Sequence, residues 1–166
     1  MGGIQMIKLF LTDVDGCLTD GGLYYTEDGK ESKRFCVYDG MGMVLLQKMG
    51  VPCGIITSET SDMVRYRAEK LNLRFLRMGV GRKIGDSTVT KLQACQEICD
   101  ELGITLQDVC YVGDDVNDID LLEAVGLPAC PASARPEVKA IRDIRVLKTP
   151  GGQGAIRELI DDLMKQ

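Results

Sequence analysis

Short apolar segments alternate with helical patterns along the chain, and this alternation constrains the fold more than any other feature. Apolar runs at 7–11, 51–57 and 109–112 have the length and composition of buried strands. The longest helical pattern, at 88–102, stops before a glycine typical of a helix C-terminus. Strands that alternate with helices predict an α/β fold, with a mainly parallel sheet covered by helices on both faces.

The length of 166 residues fits one domain spanning 1–166. No apolar run is long enough to cross a membrane, and no signal-peptide pattern opens the chain. We therefore expect a cytoplasmic protein without a membrane partner. The formal net charge of −5 argues against nonspecific binding to nucleic acid, so no nucleic-acid partner is expected either.

The cysteine and histidine contents exclude several kinds of site. Seven cysteines are scattered over apolar segments, which indicates buried free thiols in a reducing compartment. Cys95 and Cys99 alone cannot form a four-ligand zinc site. The chain has no histidine, so the usual Ser-His-Asp and Cys-His catalytic sets are excluded. Acid–base chemistry must come from carboxylates, lysine or tyrosine.

Two carboxylates one residue apart follow the first predicted strand. Asp13 and Asp15 precede Gly16, which allows a sharp turn at the strand end where open α/β sheets bind ligands. Such neighbours repel unless a proton or a cation lies between them, and Mg²⁺ prefers oxygen ligands. One can then attack an electrophile while the other transfers a proton. A calcium loop is the alternative, but its closing glutamate would fall at Tyr24.

The segment at about 23–37 carries the pattern of a β-hairpin. β-forming residues flank Asp28-Gly29, which is a strong turn signal. A hairpin outside a sheet is marginally stable, so we expect it to pack either on a second subunit or on its own domain. A helix is predicted to begin after the residues 39–42. The glycine-rich segment 79–87 lacks the ending of a phosphate-binding P-loop and is interpreted as a connector.

Three further polar residues lie at strand ends or helix starts: Thr57, Lys91 and Asp114. Each has an ordinary structural explanation: Thr57 as a cap, Lys91 as a solvated helix residue and Asp114 as a turn former. In a parallel sheet, however, the strand ends share one edge, so all of them can meet the first carboxylate pair. Carboxylates, Mg²⁺, a hydroxyl and a lysine around one point are what phosphoryl transfer requires.

These residues, in this order, resemble the four motifs of the haloacid dehalogenase-like phosphatases, which have a Rossmann-like fold. The chain has no room for a separate cap domain. It therefore resembles the capless branch that dephosphorylates 3-deoxy-2-ulosonic acid phosphates. That resemblance implies a homotetramer built by the hairpin, in which a neighbouring subunit covers the active site. The segments that carry it are Asp13-Val14-Asp15-Gly16, Thr57, Lys91, Gly113-Asp114-Asp115-x-x-Asp118, Asp39-Gly40-x-Gly42 and the tail from Gly151 to Glu158.

The resemblance implies a role for each motif residue. Asp13 attacks phosphorus and forms an aspartyl phosphate, and Asp15 protonates the leaving oxygen and then activates water. Thr57 donates a hydrogen bond to the phosphoryl group, and Lys91 neutralises its charge. The side chains of Asp13 and Asp114 and the backbone carbonyl of Asp15 hold Mg²⁺. Two further carboxylates orient the site: Asp115 and Asp118.

Substrate choice is predicted from the residues around Thr57. Octulosonate phosphatases typically have Thr-Gly-Arg where this chain has Thr57-Ser58-Glu59. Glu59, with Arg67 and Lys70, resembles the nonulosonate 9-phosphate phosphatases, including those for the sialic-acid-like sugar KDN, and this is the favoured interpretation. The alternative is an octulosonate 8-phosphate phosphatase. The ordinary structural explanation is that Glu59, Arg67 and Lys70 only form a charged helix face. The predicted substrate-binding residues are Asp39, Gly40, Ser58, Glu59, Arg67 and Lys70.

Two other functional classes compete with a phosphatase. A two-component receiver domain also uses aspartates, a threonine and a lysine on a parallel sheet. Its lysine comes near the end of the chain, whereas Lys91 here opens a helix that an acidic cluster follows. A weakly active assembly domain, of the kind fused to sugar-acid cytidylyltransferases, is the other alternative. The intact acidic set argues against lost activity but leaves a partner role open.

Overall fold

The computed structural model describes residues 7–81 and 88–166. Segment 82–87 of the predicted connector therefore lies outside the described residues. Strands and helices alternate along the chain as predicted. The strands are β1 (Leu9–Thr12), β2 (Tyr24–Tyr25), β3 (Glu31–Ser32), β4 (Cys53–Ile56), β5 (Phe75–Arg77), β6 (Val109–Val112), β7 (Leu127–Cys130) and β8 (Arg145–Val146). The helices are α1 (Val37–Lys48), α2 (Asp62–Lys70), α3 (Lys91–Leu102), α4 (Ile119–Ala124), α5 (Pro136–Lys139) and α6 (Ala155–Met164).

Within the described residues, six strands form one parallel sheet in the order β5-β4-β1-β6-β7-β8. The predicted parallel α/β sheet is therefore confirmed. Strand β1 is central, and Thr12 lies in register with Ile55 of β4 and Val112 of β6. Because these three strands run in the same direction, the residues that follow them meet at one edge of the sheet.

Helices cover both faces of the sheet, and the core has two layers. Side chains that alternate along each strand point to opposite faces, so Phe10 packs in one layer and Leu11 in the other. The first layer contains residues of α1, α2 and α6, and the second contains residues of α3, α4 and α5. Burying one large aliphatic or aromatic side chain contributes about 1.5–3 kcal/mol. The two layers therefore hold the strand ends rigidly.

The predicted hairpin is present as an antiparallel pair, with Tyr24 opposite Ser32 and Tyr25 opposite Glu31. A bridge between Thr19 and Phe35 closes its base. The hairpin is shorter than predicted, because α1 already begins at Val37. No helix in the described ranges combines the length and the apolar composition that crossing a bilayer requires.

Helix α1 begins six residues earlier than predicted and contains both Gly40 and Gly42. Neighbouring helices explain these glycines. A Cβ atom on Gly40 would lie 2.4 Å from Nη2 of Arg67, and one on Gly42 would lie 3.1 Å from Cδ of Arg157. Close packing of α1 against α2 and α6 therefore excludes larger side chains at both positions.

Asp39 of α1 caps helix α6. The N-cap of α6 is Gly154, which has no side chain to accept a hydrogen bond from the first turn. Asp39 Oδ1 instead accepts one from the backbone N–H of Arg157, at 3.0 Å. Its other oxygen has no hydrogen-bond partner within the described chain, and burial raises the pKa of Asp39 to about 6, against the opposing charges of Arg67 and Arg157. This contact joins the two helices that pack most closely.

We expect Asp39→Ala to lower the free energy of unfolding by about 1–2 kcal/mol, because the first turn of α6 loses its cap. Asp39→Asn keeps an acceptor and should lose less. Urea denaturation followed by circular dichroism measures both variants. Asp161→Ala is the matched control, since it removes only the surface ion pair with the Arg157 side chain. Equal losses for Asp39→Ala and Asp161→Ala would contradict the capping role.

Candidate active site

A cavity of about 300 Å³ lies at the edge of the sheet where β1, β4 and β6 end. Most of the residues predicted to carry the chemistry line it. They are Asp13, Asp15, Thr57, Ser58, Glu59, Asp114 and Asp115. The lining also contains polar residues that the sequence analysis missed: Asp20, Asn117 and Ser133. Carboxylates dominate this wall, so the cavity is strongly acidic.

Asp13 is held in one orientation by its neighbours. Its backbone N–H donates to the carbonyl of Val112 at 2.9 Å, which extends the pairing of β1 with β6. Its Oδ1 accepts from the N–H of Val14 at 2.7 Å, and its Oδ2 lies 2.9 Å from Nζ of Lys91. Burial, and then the charge of Asp118, raise the pKa of Asp13 to about 7, although Lys91 opposes this. The carboxylate is therefore oriented and poorly solvated, as a nucleophile should be.

Lys91 begins α3 and is almost completely buried, with 4% of its side chain exposed. A capping box between Thr90 and Gln93 sets the start of this helix. The Lys91 ammonium lies 2.8 Å from Oδ1 of Asp118 and 2.9 Å from Oδ2 of Asp13. Burial alone would lower the pKa of Lys91, but these two carboxylates outweigh it and raise the pKa. Lys91 is therefore charged between Asp13 and Asp118, and it does not itself line the cavity.

Asp118 is a fully buried carboxylate that organises its surroundings. Its Oδ1 accepts from Lys91 and, at 2.6 Å, from the hydroxyl of Tyr111. Its Oδ2 accepts from the backbone N–H groups of Asp114 and Asp115 at 3.0 and 3.2 Å. With four donors, Asp118 fixes both the lysine and the loop that carries Asp114. Tyr111 was missed, although a lone hydroxyl in an apolar strand signals a buried partner.

The carboxylates of Asp13, Asp114 and Asp118 lie within 4.8 Å of one another, close enough to hold a metal ion. Asp13 and Asp114 line the cavity, whereas Asp118 is fully buried behind it and accepts four hydrogen bonds, so Asp13 and Asp114 are the two suited to bind a cation. Burial and the charges of Asp13 and Asp118 raise the pKa of Asp114 to about 7. A hard divalent cation would relieve this repulsion, so the donor set fits Mg²⁺. The Asp15 carbonyl as a third ligand stays a prediction.

Gly16 is required for this approach. It has a φ of +83°, and a Cβ atom there would lie 1.9 Å from Oδ2 of Asp114. Any larger residue would therefore displace the carboxylate.

Strand β4 delivers the second group of cavity residues. Thr57 follows β4 and is buried, and its hydroxyl oxygen accepts from the N–H of Glu59 at 3.1 Å. Its hydroxyl proton remains able to be donated to a ligand. The Ser58 hydroxyl instead donates to the carbonyl of Val80 at 2.7 Å, which fixes the chain locally. Glu59 lines the cavity, with its Oε2 lying 3.9 Å from Nζ of Lys33.

Four of the six predicted substrate-binding residues do not line the cavity. The assignment of Asp39 and Gly40 must be corrected, since both are buried where α1 packs on its neighbours. Arg67 donates to the carbonyl of Cys36 and lies over the ring of Phe35. The fourth, at the end of α2, is the exposed Lys70. Within this chain, only Ser58 and Glu59 of the predicted set reach the cavity.

Comparisons with known proteins agree with this geometry. The sequence profile described as haloacid dehalogenase-like hydrolase matches residues 59–157. A 3-deoxy-D-manno-octulosonate 8-phosphate phosphatase from Haemophilus influenzae is 33% identical over 162 residues, covering 98% of this chain and 85% of that protein. The corresponding Escherichia coli K12 protein is 35% identical over 160 residues, covering 96% and 80%.

A solved structure is similar over almost the whole chain. The 3-deoxy-D-manno-octulosonate 8-phosphate phosphatase from Moraxella catarrhalis, in complex with magnesium, phosphate and KDO, superposes with a TM-score of 0.88 at 34% identity. The match covers 97% of this chain and 87% of that one.

Asp114→Asn should stabilise the metal-free protein, because it removes one of the mutually repelling buried charges. At pH 8 without divalent cations, we expect its Tm to lie about 2–6 °C above that of the parent. Added Mg²⁺ should raise the parent's Tm and leave the variant's unchanged, since the variant lacks a ligand. Differential scanning fluorimetry measures both effects. Asp120→Asn, an exposed acid on α4, is the control and should respond to Mg²⁺ like the parent.

Proposed function

Because this chain belongs to the haloacid dehalogenase-like hydrolases, we propose that it is a Mg²⁺-dependent sugar-acid phosphatase that acts through an aspartyl phosphate. The observation that carries the proposal is that Asp13, Asp15 and Asp114 line one cavity at the sheet edge, with Lys91 in contact with Asp13. The protein is a phosphoric monoester hydrolase, as its phosphatase relatives over nearly the whole chain indicate, and its cofactor is Mg²⁺, as in the similar magnesium-bound structure.

Mg²⁺, when bound by Asp13 and Asp114, supplies positive charge that offsets the charge of the phosphoryl oxygens. Lys91 adds a buried positive charge 2.9 Å from the nucleophile Asp13. The Thr57 hydroxyl is placed to donate to a phosphoryl oxygen. The residues of the chain thus supply donors and charge where the transition state gathers negative charge.

In the first step, a carboxylate oxygen of Asp13 attacks phosphorus, and the bond between phosphorus and the sugar oxygen breaks. Asp15 gives its proton to that leaving oxygen, so the sugar acid departs as an alcohol. Asp13 can attack because Val14 and Lys91 hold its carboxylate in place.

In the second step, Asp15, now a carboxylate, takes a proton from a water molecule. The water oxygen bonds to phosphorus, and the bond from phosphorus to Asp13 breaks. Inorganic phosphate leaves, and both aspartates return to their starting states. The same residue therefore acts first as acid and then as base, which requires it to face the leaving group throughout.

The substrate proposed is 3-deoxy-D-manno-octulosonate 8-phosphate. It is supported by the relatives from Haemophilus influenzae and Escherichia coli and by the similar structure from Moraxella catarrhalis, all phosphatases named for this eight-carbon substrate. The predicted preference for a nonulosonate 9-phosphate has no such support, and the alternative made from the sequence fits better.

A nine-carbon substrate such as KDN 9-phosphate is kept as a second candidate because of Glu59. This carboxylate lines the cavity at the position where octulosonate phosphatases typically carry arginine. A carboxylate accepts hydrogen bonds from sugar hydroxyls, whereas an arginine would bind the sugar carboxylate.

The hairpin supports the proposal of a homotetramer. Exposed apolar side chains are concentrated on the hairpin and on the first turns of α1, and a contiguous apolar surface marks an interface. They are Leu23, Tyr24, Tyr25, Val37, Tyr38 and Met41.

All seven cysteines are buried free thiols, which supports a site of action in the reducing cytoplasm.

With Mg²⁺ present, the parent enzyme should release phosphate from the eight-carbon 8-phosphate with a higher kcat/KM than from nine-carbon 9-phosphates. Asp13→Asn should lower kcat at least about 10³-fold, since the nucleophile is lost. Asp120→Asn is the control and should match the parent. A reversed preference would favour the second candidate and give Glu59 the specificity role. Equal rates for Asp13→Asn and the parent would rule out the phosphatase and leave an assembly function.

Multi-angle light scattering should give a mass near four times 18.2 kDa for the parent. Tyr24→Glu places a charge in the apolar hairpin surface and should shift the mass towards one subunit. Val146→Glu, an equally simple change at an exposed apolar residue of β8, is the control and should leave the mass unchanged. A parent of 18 kDa would contradict the tetramer.

A further inference from the structure

Lys33 is a buried cation that the proposed chemistry does not yet use. It follows strand β3 on the return arm of the hairpin, and 0% of its side chain is exposed. Its Nζ lies 2.7 Å from Oδ1 of Asp15, 3.5 Å from Glu31 and 3.9 Å from Glu59. Two of these three carboxylates, Asp15 and Glu59, line the cavity.

Three carboxylates are what keep a lysine charged in this buried position. Burial alone lowers the pKa of Lys33, but the hydrogen bond that Lys33 donates to Asp15 and the charges of Asp15, Glu59 and Glu31 outweigh it and raise the pKa. Glu31 is itself held by the Tyr25 hydroxyl at 3.1 Å. The ammonium is therefore fixed between the hairpin and the cavity wall.

The contact is a consequence of how the hairpin closes. The bridge between Thr19 and Phe35 brings the return arm back beside the turn that follows β1. Asp15 lies four residues before Thr19, and Lys33 lies two residues before Phe35. The short pairing at the hairpin base thus places the lysine over the aspartate, although the two are 18 residues apart in the chain.

We propose that Lys33 is a positioning residue that orients Asp15 towards the leaving oxygen of the substrate. The inference rests on the proposed function, in which Asp15 transfers the proton. Lys33 binds Oδ1 of Asp15 while 34% of that side chain remains exposed at the cavity. One oxygen is thereby held, and the rest of the carboxyl group faces the space where a substrate would lie.

Each of the two central aspartates then has its own lysine. Lys91 contacts Asp13, the nucleophile, and Lys33 contacts Asp15, the acid and base. Lys33 exchanges no proton in either step. Its effect falls on the step in which the phosphorus–oxygen bond of the substrate breaks and the proton of Asp15 goes to the departing oxygen.

The leaving group distinguishes this role from a purely structural one. A sugar alkoxide needs a proton to depart, whereas p-nitrophenolate departs without much help. If Lys33 orients Asp15, Lys33→Met should lower kcat/KM for the alkyl phosphate about 10²-fold and for p-nitrophenyl phosphate less than about 3-fold. The alkyl phosphate is the eight-carbon or the nine-carbon sugar-acid phosphate, whichever the parent hydrolyses with the higher kcat/KM. Lys33→Arg, which keeps the charge, should recover part of the loss.

Lys30→Met is the matched control, because Lys30 lies on the same hairpin, is largely exposed and pairs with Asp28. Its two kcat/KM values should equal those of the parent. Equal losses on the two substrates in Lys33→Met, or no loss at all, would overturn the role of Lys33. Should circular dichroism show that Lys33→Met is unfolded, Lys33→Gln, which is also neutral, is measured in the same way and judged by the same ratio.

The outcome for the parent separates this inference from the proposed function. A parent inactive on both kinds of substrate overturns the proposed function, and the role of Lys33 falls with it. An active parent whose Lys33 variants keep the parent's ratio of the two kcat/KM values overturns the role of Lys33 alone.

Discussion

The repulsion among buried carboxylates at the end of β1 is the constraint on which the rest of the site depends. The carboxylates of Asp13, Asp114 and Asp118 lie within 4.8 Å of one another, and Asp13 and Asp118 are buried while Asp114 is half-buried. Lys91 offsets part of this charge by contacting Asp13 and Asp118, and three further hydrogen-bond donors, from Tyr111, Asp114 and Asp115, stabilise the Asp118 carboxylate. What remains on Asp13 and Asp114 raises their pKa values and favours a divalent cation. The charge repulsion that destabilises the metal-free site therefore also favours binding of the cation that the proposed chemistry needs.

A rigid scaffold is needed to hold like charges so close together. The two core layers keep β1 between β4 and β6, so the chain cannot relax by separating the strand ends. Asp39 extends this rigidity to the C-terminal helix by capping α6 from α1. The residue sits outside the cavity, yet it helps to fix the loop and helix that pack against the first motif.

Much of the fold and part of the site could be predicted from the sequence. The order of strands and helices, the hairpin turn and the acidic pair are local patterns, and the rule that parallel strand ends share an edge brings Thr57, Lys91 and Asp114 to Asp13. The prediction was wrong for Asp39 and Gly40, because a polar residue and a glycine before a helical pattern resemble a loop. Their burial depends on where α6 packs, and no local pattern contains that information.

By itself, the sequence determined the α/β class and the sheet edge at which the acidic residues meet, since both depend on short-range periodicity or on strand direction. The roles of the individual residues are predictions that follow from the family resemblance. The tertiary structure alone decided which side chains touch. Lys91 reaches Asp118 across 27 residues of the chain, and Lys33 reaches Asp15 only because the hairpin folds back over the turn. Such contacts join residues distant in the chain, and their geometry follows from packing and closure rather than from neighbouring residues.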